Sequence, residues 1–156
     1  MLTIRFVVVD RTRQEFLQRG ESFYLDRIKR YARTEWIEVR PASGKHAVSP
    51  RDALAFEGEA ISRRLTPREH VISLDRKGRT YDSVQLAERI GRLSLDQSSI
   101  CFIIGGTLGL SQEILAKSNE TFSLSSLTMT HEMARLFLLE QVYRAFTILN
   151  NEKYHK

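Results

Sequence analysis

Two segments in the second half of the chain have the residue types needed to hold a small, flat ligand. Gly105, Gly106 and Gly109 follow the apolar run Ser99–Ile104, and glycines leave backbone N–H and C=O groups open to a ligand. The segment Leu124–Thr130 mixes hydroxyl groups with apolar side chains, which suits the polar and apolar edges of a nucleoside. The same residues also fit a turn with positive φ and an N-cap for a following helix, and both interpretations stay open.

A third group of chemically active residues lies near the carboxyl terminus. Arg144 stands in an apolar, helix-like segment, and Tyr154 and His155 follow in the tail. A guanidinium can stabilise negative charge, a phenol can stack or donate a hydrogen bond, and an imidazole can exchange a proton near neutral pH. Arg135 lies nine residues before Arg144, which puts the two on opposite sides of a helix. Arg135 and Glu140 are predicted to be structural, the latter in an ion pair with Arg144.

Several common kinds of active site are disfavoured because their motifs are missing. No glycine-rich turn follows the first apolar run, Leu2–Asp10, as a dinucleotide site would require. The segment after Gly105 lacks the Lys-Ser/Thr ending of a P-loop, and there is no Gly-x-Ser-x-Gly elbow. The four histidines are far apart and Cys101 lies in an apolar run, so no metal-ligand spacing is present. We therefore expect no metal, and these absences argue against an NAD- or ATP-using enzyme.

Apolar periodicity predicts alternating strands and helices, and hence an α/β fold with a mostly parallel sheet. The predicted strands are Leu2–Asp10, Thr34–Val39, His70–Asp75, Ser99–Ile104 and Thr121–Ser125. The predicted helices are about Gln14–Ala32, Pro50–Leu65, from Ser83, Gln112–Lys117 and His131–Leu149. Ser49 and Ser111 are predicted N-caps, and Arg76–Arg79 is interpreted as a basic turn. Leu74, at the end of the third strand, is predicted to point into the same crevice as the glycines.

Size and composition indicate one globular domain. The chain has 156 residues, of which 42% are hydrophobic and 28% charged, and this excludes a disordered or fibrous protein. The formal net charge is +5; residues 1–92 hold 19 basic and 13 acidic side chains, and residues 93–156 hold 5 and 6. The basic N-terminal region fits a polyanion such as RNA, with a merely solvated surface as the alternative. One cysteine, no apolar run of about 20 residues and no signal-peptide pattern predict a cytoplasmic protein without a membrane segment.

The motifs of the C-terminal half together resemble those of SPOUT-class methyltransferases. They are Phe102-Ile103-Ile104-Gly105-Gly106-x-x-Gly109-Leu110-Ser111, Leu124-Ser125-x-Leu127-Thr128, His131, Arg135, Glu140-Gln141-x-Tyr143-Arg144-Ala145 and Tyr154-His155. Within that class, the chain resembles the family called ribosomal RNA large subunit methyltransferase H. The resemblance covers the whole length, and its specific portion is the C-terminal half.

The resemblance implies an α/β fold of SPOUT type, with a mostly parallel sheet, helices on both faces and a deep C-terminal trefoil knot. It implies a single domain over residues 1–156, with a basic region at residues 1–92 and a cofactor-binding, knotted region at about residues 99–156. The implied cofactor is S-adenosyl-L-methionine. The residues implied to bind it are Leu74, Gly105, Gly106, Ser125, Ser126, Leu127, Thr128, Met129 and Thr130.

The implied reaction is methylation at N3 of a pseudouridine in large-subunit (23S) rRNA within the assembled 70S ribosome. Arg144, Tyr154 and His155 are the candidate catalytic residues, and His131 is predicted to shape the cofactor loop. The resemblance also implies a homodimer. The last helix supports a dimer by its large apolar surface, formed by Leu136, Phe137, Leu139, Val142, Phe146 and Leu149.

Two other functions stay open on the sequence alone. One is a SPOUT-type methyltransferase that acts on another RNA such as tRNA, although the Tyr154-His155 ending favours the ribosomal family. The other is a non-catalytic RNA-binding α/β protein, which would bind no S-adenosyl-L-methionine. An NAD- or ATP-using enzyme is a third, more distant class.

Overall fold

The chain folds into one five-stranded sheet with helices on both faces, and the computed structural model describes all residues 1–156. The elements in chain order are β1 (Thr3–Val9), α1 (Glu15–Ile28), β2 (Arg33–Val39), a 3₁₀ helix (Gly44–Ala47), α2 (Pro50–Ser62), β3 (His70–Arg79), α3 (Ser83–Asp96), β4 (Ser99–Ile104), α4 (Gln112–Lys117), β5 (Glu120–Phe122) and α5 (His131–Leu149). The predicted alternation of strands and helices is confirmed.

All neighbouring strands of the sheet are parallel. The strand order is β2-β1-β4-β3-β5, and each of the four pairs runs in the same direction. All five strands therefore finish at one end of the sheet, which we call its carboxyl end. Because every parallel connection crosses back over a face, both faces are covered, and β1 and β4 are buried along almost their whole length.

The sheet divides the apolar core into two layers. Ile4, Phe6 and Val8 point to the face covered by α1, α3 and α5, and the Phe6 ring stacks on that of Phe102 at 5.7 Å. Val7 and Val9 point to the other face, which α2 and α4 cover. The alternation of side chains along a strand thus explains why nearly every residue of β1 is apolar.

The basic segment Arg76–Arg79 is not a turn, as the sequence suggests, but the second half of β3. β3 pairs with β5 up to Leu74, and after a shift in register Arg79 pairs with Phe122. Gly78 permits this close approach, because a Cβ there would lie 2.7 Å from the backbone nitrogen of Phe122. A glycine inside a strand often marks such a bulge, and next to basic residues the same glycine also fits a turn.

Other differences from the predicted elements are confined to their ends. α1 ends at Ile28 rather than Ala32, α2 ends at Ser62, and β5 is limited to Glu120–Phe122. The predicted caps are confirmed: Ser49 Oγ accepts the backbone N–H of Asp52 at 3.1 Å, and Ser111 Oγ accepts that of Ile114 at 3.3 Å.

α5 is held between α1 and α3, and most of its apolar side chains are buried inside this chain. Three of the residues on which the predicted dimer surface depends, Leu139, Val142 and Phe146, are therefore buried within this chain and cannot form that surface. Phe137 and Leu149 remain about two-fifths exposed. None of the helices combines the length and the apolar character required to cross a membrane.

A side chain from α5 binds the backbone that leads into α1. Gln14 makes no side-chain cap, and the Glu132 carboxylate instead accepts the backbone N–H groups of Arg13 at 2.6 Å and Gln14 at 3.2 Å. Partial burial alone would raise the pKa of Glu132, but these hydrogen bonds hold it below its ordinary value. The carboxylate thus joins two helices that are far apart in the sequence.

We expect Glu132→Gln to lower the free energy of unfolding by about 1 kcal/mol at pH 7. Because the folded-state pKa lies below the unfolded value, the contribution of the carboxylate is present above the unfolded pKa and lost as the pH falls through the folded one. The difference in the free energy of unfolding between wild type and variant should therefore become smaller as the pH is lowered. Urea unfolding between pH 7 and about pH 3.5 measures it, with exposed Glu113→Gln as the control; a difference that is constant with pH would contradict this role.

Candidate active site

A cavity of about 450 Å³ opens at the carboxyl end of the sheet, where the chain leaves β3, β4 and β5. Its volume falls in the range of sites that hold a small organic ligand, and open α/β sheets place their ligand sites at this end. Seven of the nine residues predicted to bind the cofactor line it: Leu74, Gly105, Gly106, Ser125, Leu127, Thr128 and Met129. The fold thus brings three separate segments of the chain to one cavity.

The other two residues predicted to bind the cofactor do not line the cavity. Ser126 is exposed to solvent. The hydroxyl of Thr130 accepts the backbone N–H of Met133 at 3.2 Å and caps α5. Of the two interpretations open for this segment, the N-cap is therefore right for Thr130, while its neighbours face the cavity.

The glycines after β4 form a tight turn. Gly109 has a φ of +78°, and its N–H donates to the carbonyl of Gly106 at 3.1 Å. A Cβ on Gly105 would overlap the Gly109 carbonyl group and lie 2.5 Å from its carbon. Glycine is thus needed for its left-handed backbone at position 109 and for lack of space at position 105. The turn also exposes its backbone to the cavity, so the two interpretations of these glycines are compatible.

Hydroxyl groups fix the loop that follows β5. Ser125 Oγ accepts the backbone N–H of Leu127 at 3.0 Å, and Ser123 Oγ donates to the carbonyl of Ser125 at 3.1 Å. The Arg76 guanidinium donates to Thr128 Oγ1 at 2.9 Å. Because Arg76 and Thr128 both line the cavity, this hydrogen bond joins two of its walls.

Asp75 and Arg76 form a polar wall of the cavity that no sequence motif indicated. Both follow Leu74 directly and line the cavity, and Asp75 is its one acidic residue. A carboxylate there can accept hydrogen bonds from hydroxyl or ammonium groups of a ligand. The signal was their place next to Leu74, and the mistaken turn at Arg76–Arg79 concealed it.

His131, the first residue of α5, also lines the cavity. Partial burial, and then the positive charge of Arg135, lower the pKa of the imidazole below its ordinary value. His131 is therefore neutral at pH 7 and can donate or accept one hydrogen bond at each ring nitrogen. Its predicted influence on the shape of the loop remains a prediction.

Arg135 is completely buried and ties α5 to the end of β1. Its guanidinium donates to the carbonyl of Val9 and, at 2.9 Å, to Thr12 Oγ1, and the Thr12 hydroxyl donates to the buried Glu21 carboxylate at 2.7 Å. The structural role predicted for Arg135 matches these contacts, which fix the start of α5 beside the cavity.

The three candidate catalytic residues meet in one cluster at the far end of α5. Arg144 forms the predicted ion pair with Glu140 at 2.5 Å, and its guanidinium lies 4.8 Å from the centre of the Tyr154 ring. Tyr154 donates its hydroxyl to Glu140 at 2.9 Å, and Arg144 lies 3.2 Å from Nδ1 of His155. Burial and the hydrogen bond to Glu140 raise the pKa of Tyr154, so its hydroxyl is neutral at pH 7. The tail is thus fixed to the helix by an arginine, a carboxylate and an aromatic ring.

This cluster and the cavity are far apart within one chain. His131 lines the cavity, and Arg144 follows it by thirteen residues of continuous helix. At a rise of 1.5 Å per residue, the two lie about 20 Å apart along the axis of α5. The cavity and the cluster around Arg144 are therefore two separate regions of this chain.

Neither the single cysteine nor a group of metal-binding side chains offers a competing reactive centre. Burial raises the pKa of the Cys101 thiol to about 12, so this residue of β4 stays protonated. No three side chains among the histidines, cysteines and acidic residues are grouped so that they could hold a metal ion.

Comparison with known proteins gives consistent results. Residues 2–155 match the family described as predicted SPOUT methyltransferase. Proteins named ribosomal RNA large subunit methyltransferase H, from Carboxydothermus hydrogenoformans and an Anaeromyxobacter species, are 40% and 41% identical to the chain; each match covers 99% of this chain and 100% of the relative. A solved structure, that of a probable methylase family protein from Haemophilus influenzae, matches the chain with a TM-score of 0.58 and 18% sequence identity. The match covers 98% of this chain and 70% of that protein, and at this identity it supports the fold alone.

Proposed function

The chain belongs to the SPOUT methyltransferase family, and we propose that it transfers a methyl group from S-adenosyl-L-methionine to N3 of a pseudouridine in 23S rRNA. The substrate would be the assembled 70S ribosome. The observation that carries this proposal is the cavity at the carboxyl end of the sheet, because the glycine turn and the loop after β5 line it together. Two full-length relatives whose name specifies large-subunit rRNA support the choice of RNA.

The residues of the cavity suit S-adenosyl-L-methionine chemically. When bound, this cofactor supplies an electrophilic methyl group on a positively charged sulfur. Backbone groups of Gly105 and Gly106 can pair with the edge of an adenine, and Leu74 and Met129 offer apolar surface for its faces. The Asp75 carboxylate can accept hydrogen bonds from ribose hydroxyls or an ammonium group. No metal ligand is needed for this reaction.

The cluster around Arg144 suits the nucleotide that receives the methyl group. N3 of pseudouridine is an imide nitrogen, which attacks well only after losing its proton. The Arg144 guanidinium can stabilise the negative charge of that anion or hold a neighbouring phosphate. The Tyr154 ring can stack on the base or direct its hydroxyl to it. These residues would align the base rather than form a covalent bond with it.

The role of His155 depends on its hydrogen bond with Arg144. A guanidinium only donates, so Nδ1 of His155 must accept, and the proton of the neutral ring is then on Nε2. In this arrangement His155 can donate a hydrogen bond to a carbonyl oxygen of the base. It could accept the N3 proton only after Arg144 turns from Nδ1 towards the substrate.

We also propose that the protein is a homodimer whose two chains complete each active site. Met133, Phe137, Glu140 and Arg144 recur at helical spacing and form one stripe along α5. Its apolar half is exposed, with 44% of Met133 and 42% of Phe137 accessible to solvent. Phe16 and Phe23 are also exposed on α1, which contacts α5 where Gly20 meets Leu136. A second copy is the natural cover for such a surface.

A two-fold axis through the middle of the stripe would complete the site. Such an axis reverses the order of the residues between subunits. Arg144 of one subunit then lies near the end of the partner's α5 that begins with His131, next to the partner's cavity. This arrangement accounts for the separation of about 20 Å within one chain, since each cavity would receive its catalytic cluster from the other subunit.

We expect Phe137→Glu to raise the dissociation constant of the dimer about a hundredfold or more, because it puts a charge into an apolar interface. Sedimentation velocity at micromolar concentration measures this shift. Leu95→Glu is the matched control, since Leu95 is 84% exposed at the end of α3, away from the stripe. Equal dissociation of both variants, or a monomeric wild type, would contradict this interface.

Three further features belong to the same proposal. We propose a single catalytic domain in which residues 1–92 supply most of the positive charge and residues from about 99 to 156 hold the cofactor.

We also propose that the C-terminal region is threaded through an earlier loop as a deep trefoil knot, a rare topology. Pulling both chain ends apart in an optical trap tests this, because a knotted chain extends less than an unknotted one of 156 residues. The proposed location is the cytoplasm, where ribosomes are found.

The proposed reaction is tested with 70S ribosomes from cells that lack the corresponding gene. The purified protein and methyl-labelled S-adenosyl-L-methionine are added, and the nucleosides of 23S rRNA are mapped by mass. The expected product is a single pseudouridine that gains one methyl group at N3. Label found in tRNA instead would support the alternative RNA substrate. Saturable ribosome binding without cofactor binding, measured by calorimetry, would support a non-catalytic RNA-binding protein.

A further inference from the structure

The segment from the end of β2 to the first turn of α2, which we call the basic loop (residues 40–51), lies at the same end of the sheet as the cavity. β2 ends at Val39, and the sheet order puts it two strands away from β4, which leads into Gly105. With strands about 4.8 Å apart, the loop begins roughly 10 Å from the glycine turn.

The positive charges of the basic loop are free to bind a ligand. Arg40, Lys45 and Arg51 are exposed, and none forms an ion pair or a side-chain hydrogen bond. Uncompensated arginine and lysine side chains are the groups that bind phosphate oxygens.

The basic loop is fixed relative to the cavity through Glu57. One oxygen of this buried carboxylate accepts the backbone N–H of Ala42 at 2.9 Å. The other lies 3.6 Å from the position that a Cβ on Gly106 would occupy. A single side chain thus binds the backbone at the base of the loop and lies beside the glycine turn, which links the two segments.

An aromatic surface accompanies these charges. The His46 ring stacks on the Phe56 ring of α2, with centroids 4.3 Å apart and planes inclined by 24°. His46 lies between Lys45 and Arg51 in the loop, and its ring is only partly buried. Flat rings next to basic side chains are typical of proteins that bind single-stranded nucleic acid, because bases stack on the rings while phosphates pair with the charges.

From these observations we propose that the basic loop binds the sugar-phosphate backbone of the RNA strand that flanks the target nucleotide. The strand would cross the carboxyl end of the sheet from β2 towards β4 and bring the target base to the cavity. Lys45 and Arg51 are the principal phosphate contacts, with His46 as a stacking surface. This inference rests on the proposed rRNA substrate and specifies which region of the basic surface recognises it.

A pair of matched double variants tests the proposal. Lys45→Gln/Arg51→Gln removes two charges from the basic loop, and Arg33→Gln/Arg68→Gln removes two exposed charges from the opposite end of the sheet. Filter binding to 70S ribosomes and to protein-free 23S rRNA is measured over a range of salt concentrations. We expect the loop variant to bind both about tenfold more weakly, with a salt slope smaller by about 1.5. The control should stay within about twofold of wild type, and both variants should bind S-adenosyl-L-methionine normally.

Two other outcomes of the binding measurements would overturn the proposal. Equal losses in both variants would mean that total charge, not the loop, determines affinity. A loss of affinity for ribosomes but not for protein-free rRNA would mean that the loop binds an acidic ribosomal protein and not the RNA. Because these measurements require no methylation, a wild type that binds through the loop but methylates nothing would refute the proposed reaction and leave the loop proposal intact.

Discussion

Arg144→Ala is expected to lower rRNA methylation by about a hundredfold while S-adenosyl-L-methionine binds as tightly as to the wild type. The guanidinium would be lost from the base that receives the methyl group, whereas Arg144 is not one of the residues that line the cavity. Single-turnover methylation of 70S ribosomes measures the first effect and calorimetry the second. Equal losses of cofactor binding and methylation would contradict the separation of the two groups.

The appropriate control for this variant is Arg92→Ala. Arg92 is also a helical arginine paired with a glutamate four residues away, Glu88, but it lies on the exposed side of α3. We expect it to methylate ribosomes like the wild type.

Tyr154→Phe and His155→Ala should have intermediate effects, since each removes one hydrogen bond from the cluster while Arg144 remains. If all three cluster variants keep full turnover, the cluster has no role in the reaction.

The alternating fold was predictable because apolar runs such as Ser99–Ile104 have the length of buried strands and the capped segments between them have the length of helices. Ser49 and Ser111 act locally, so their roles could be read without knowing the fold. The register of β3 could not be predicted in the same way, because Gly78 matters only where the backbone of β5 approaches it closely. Nothing within Arg76–Arg79 itself distinguishes an irregular strand from a turn.

The site was predictable to the extent that its residues lie in short motifs. Gly105 and Thr128 were found in this way, and their convergence on one cavity follows from the ends of parallel strands. Asp75 carries no motif, and only the structure shows that it faces the cavity. Glu57 was also missed, because its contacts join a helix to loops that are distant in the sequence. Long-range contacts of this kind leave no periodic signal.

Gly105→Ala is expected to abolish measurable binding of S-adenosyl-L-methionine, with a loss of about a hundredfold or more in affinity. The added methyl group would overlap the carbonyl of Gly109, which is backbone and cannot rotate away, so the turn that lines the cavity must open. Gly91→Ala is the matched control: there the nearest atom, at 2.9 Å, belongs to the flexible Leu149 side chain. Calorimetric titration of both variants compares the two, and normal binding by Gly105→Ala would exclude the turn from the cofactor site.

Mixing the two inactive variants tests the shared site directly. In a dimer of one Gly105→Ala chain and one Arg144→Ala chain, a site formed across the interface combines the intact cavity of the second chain with the intact cluster of the first. The other site contains both defects, so the mixed dimer should recover about half of the wild-type activity. If each site lay within one chain, both sites would carry a defect and no activity would return. Recovery of methylation on mixing can therefore arise only when the two subunits share their sites.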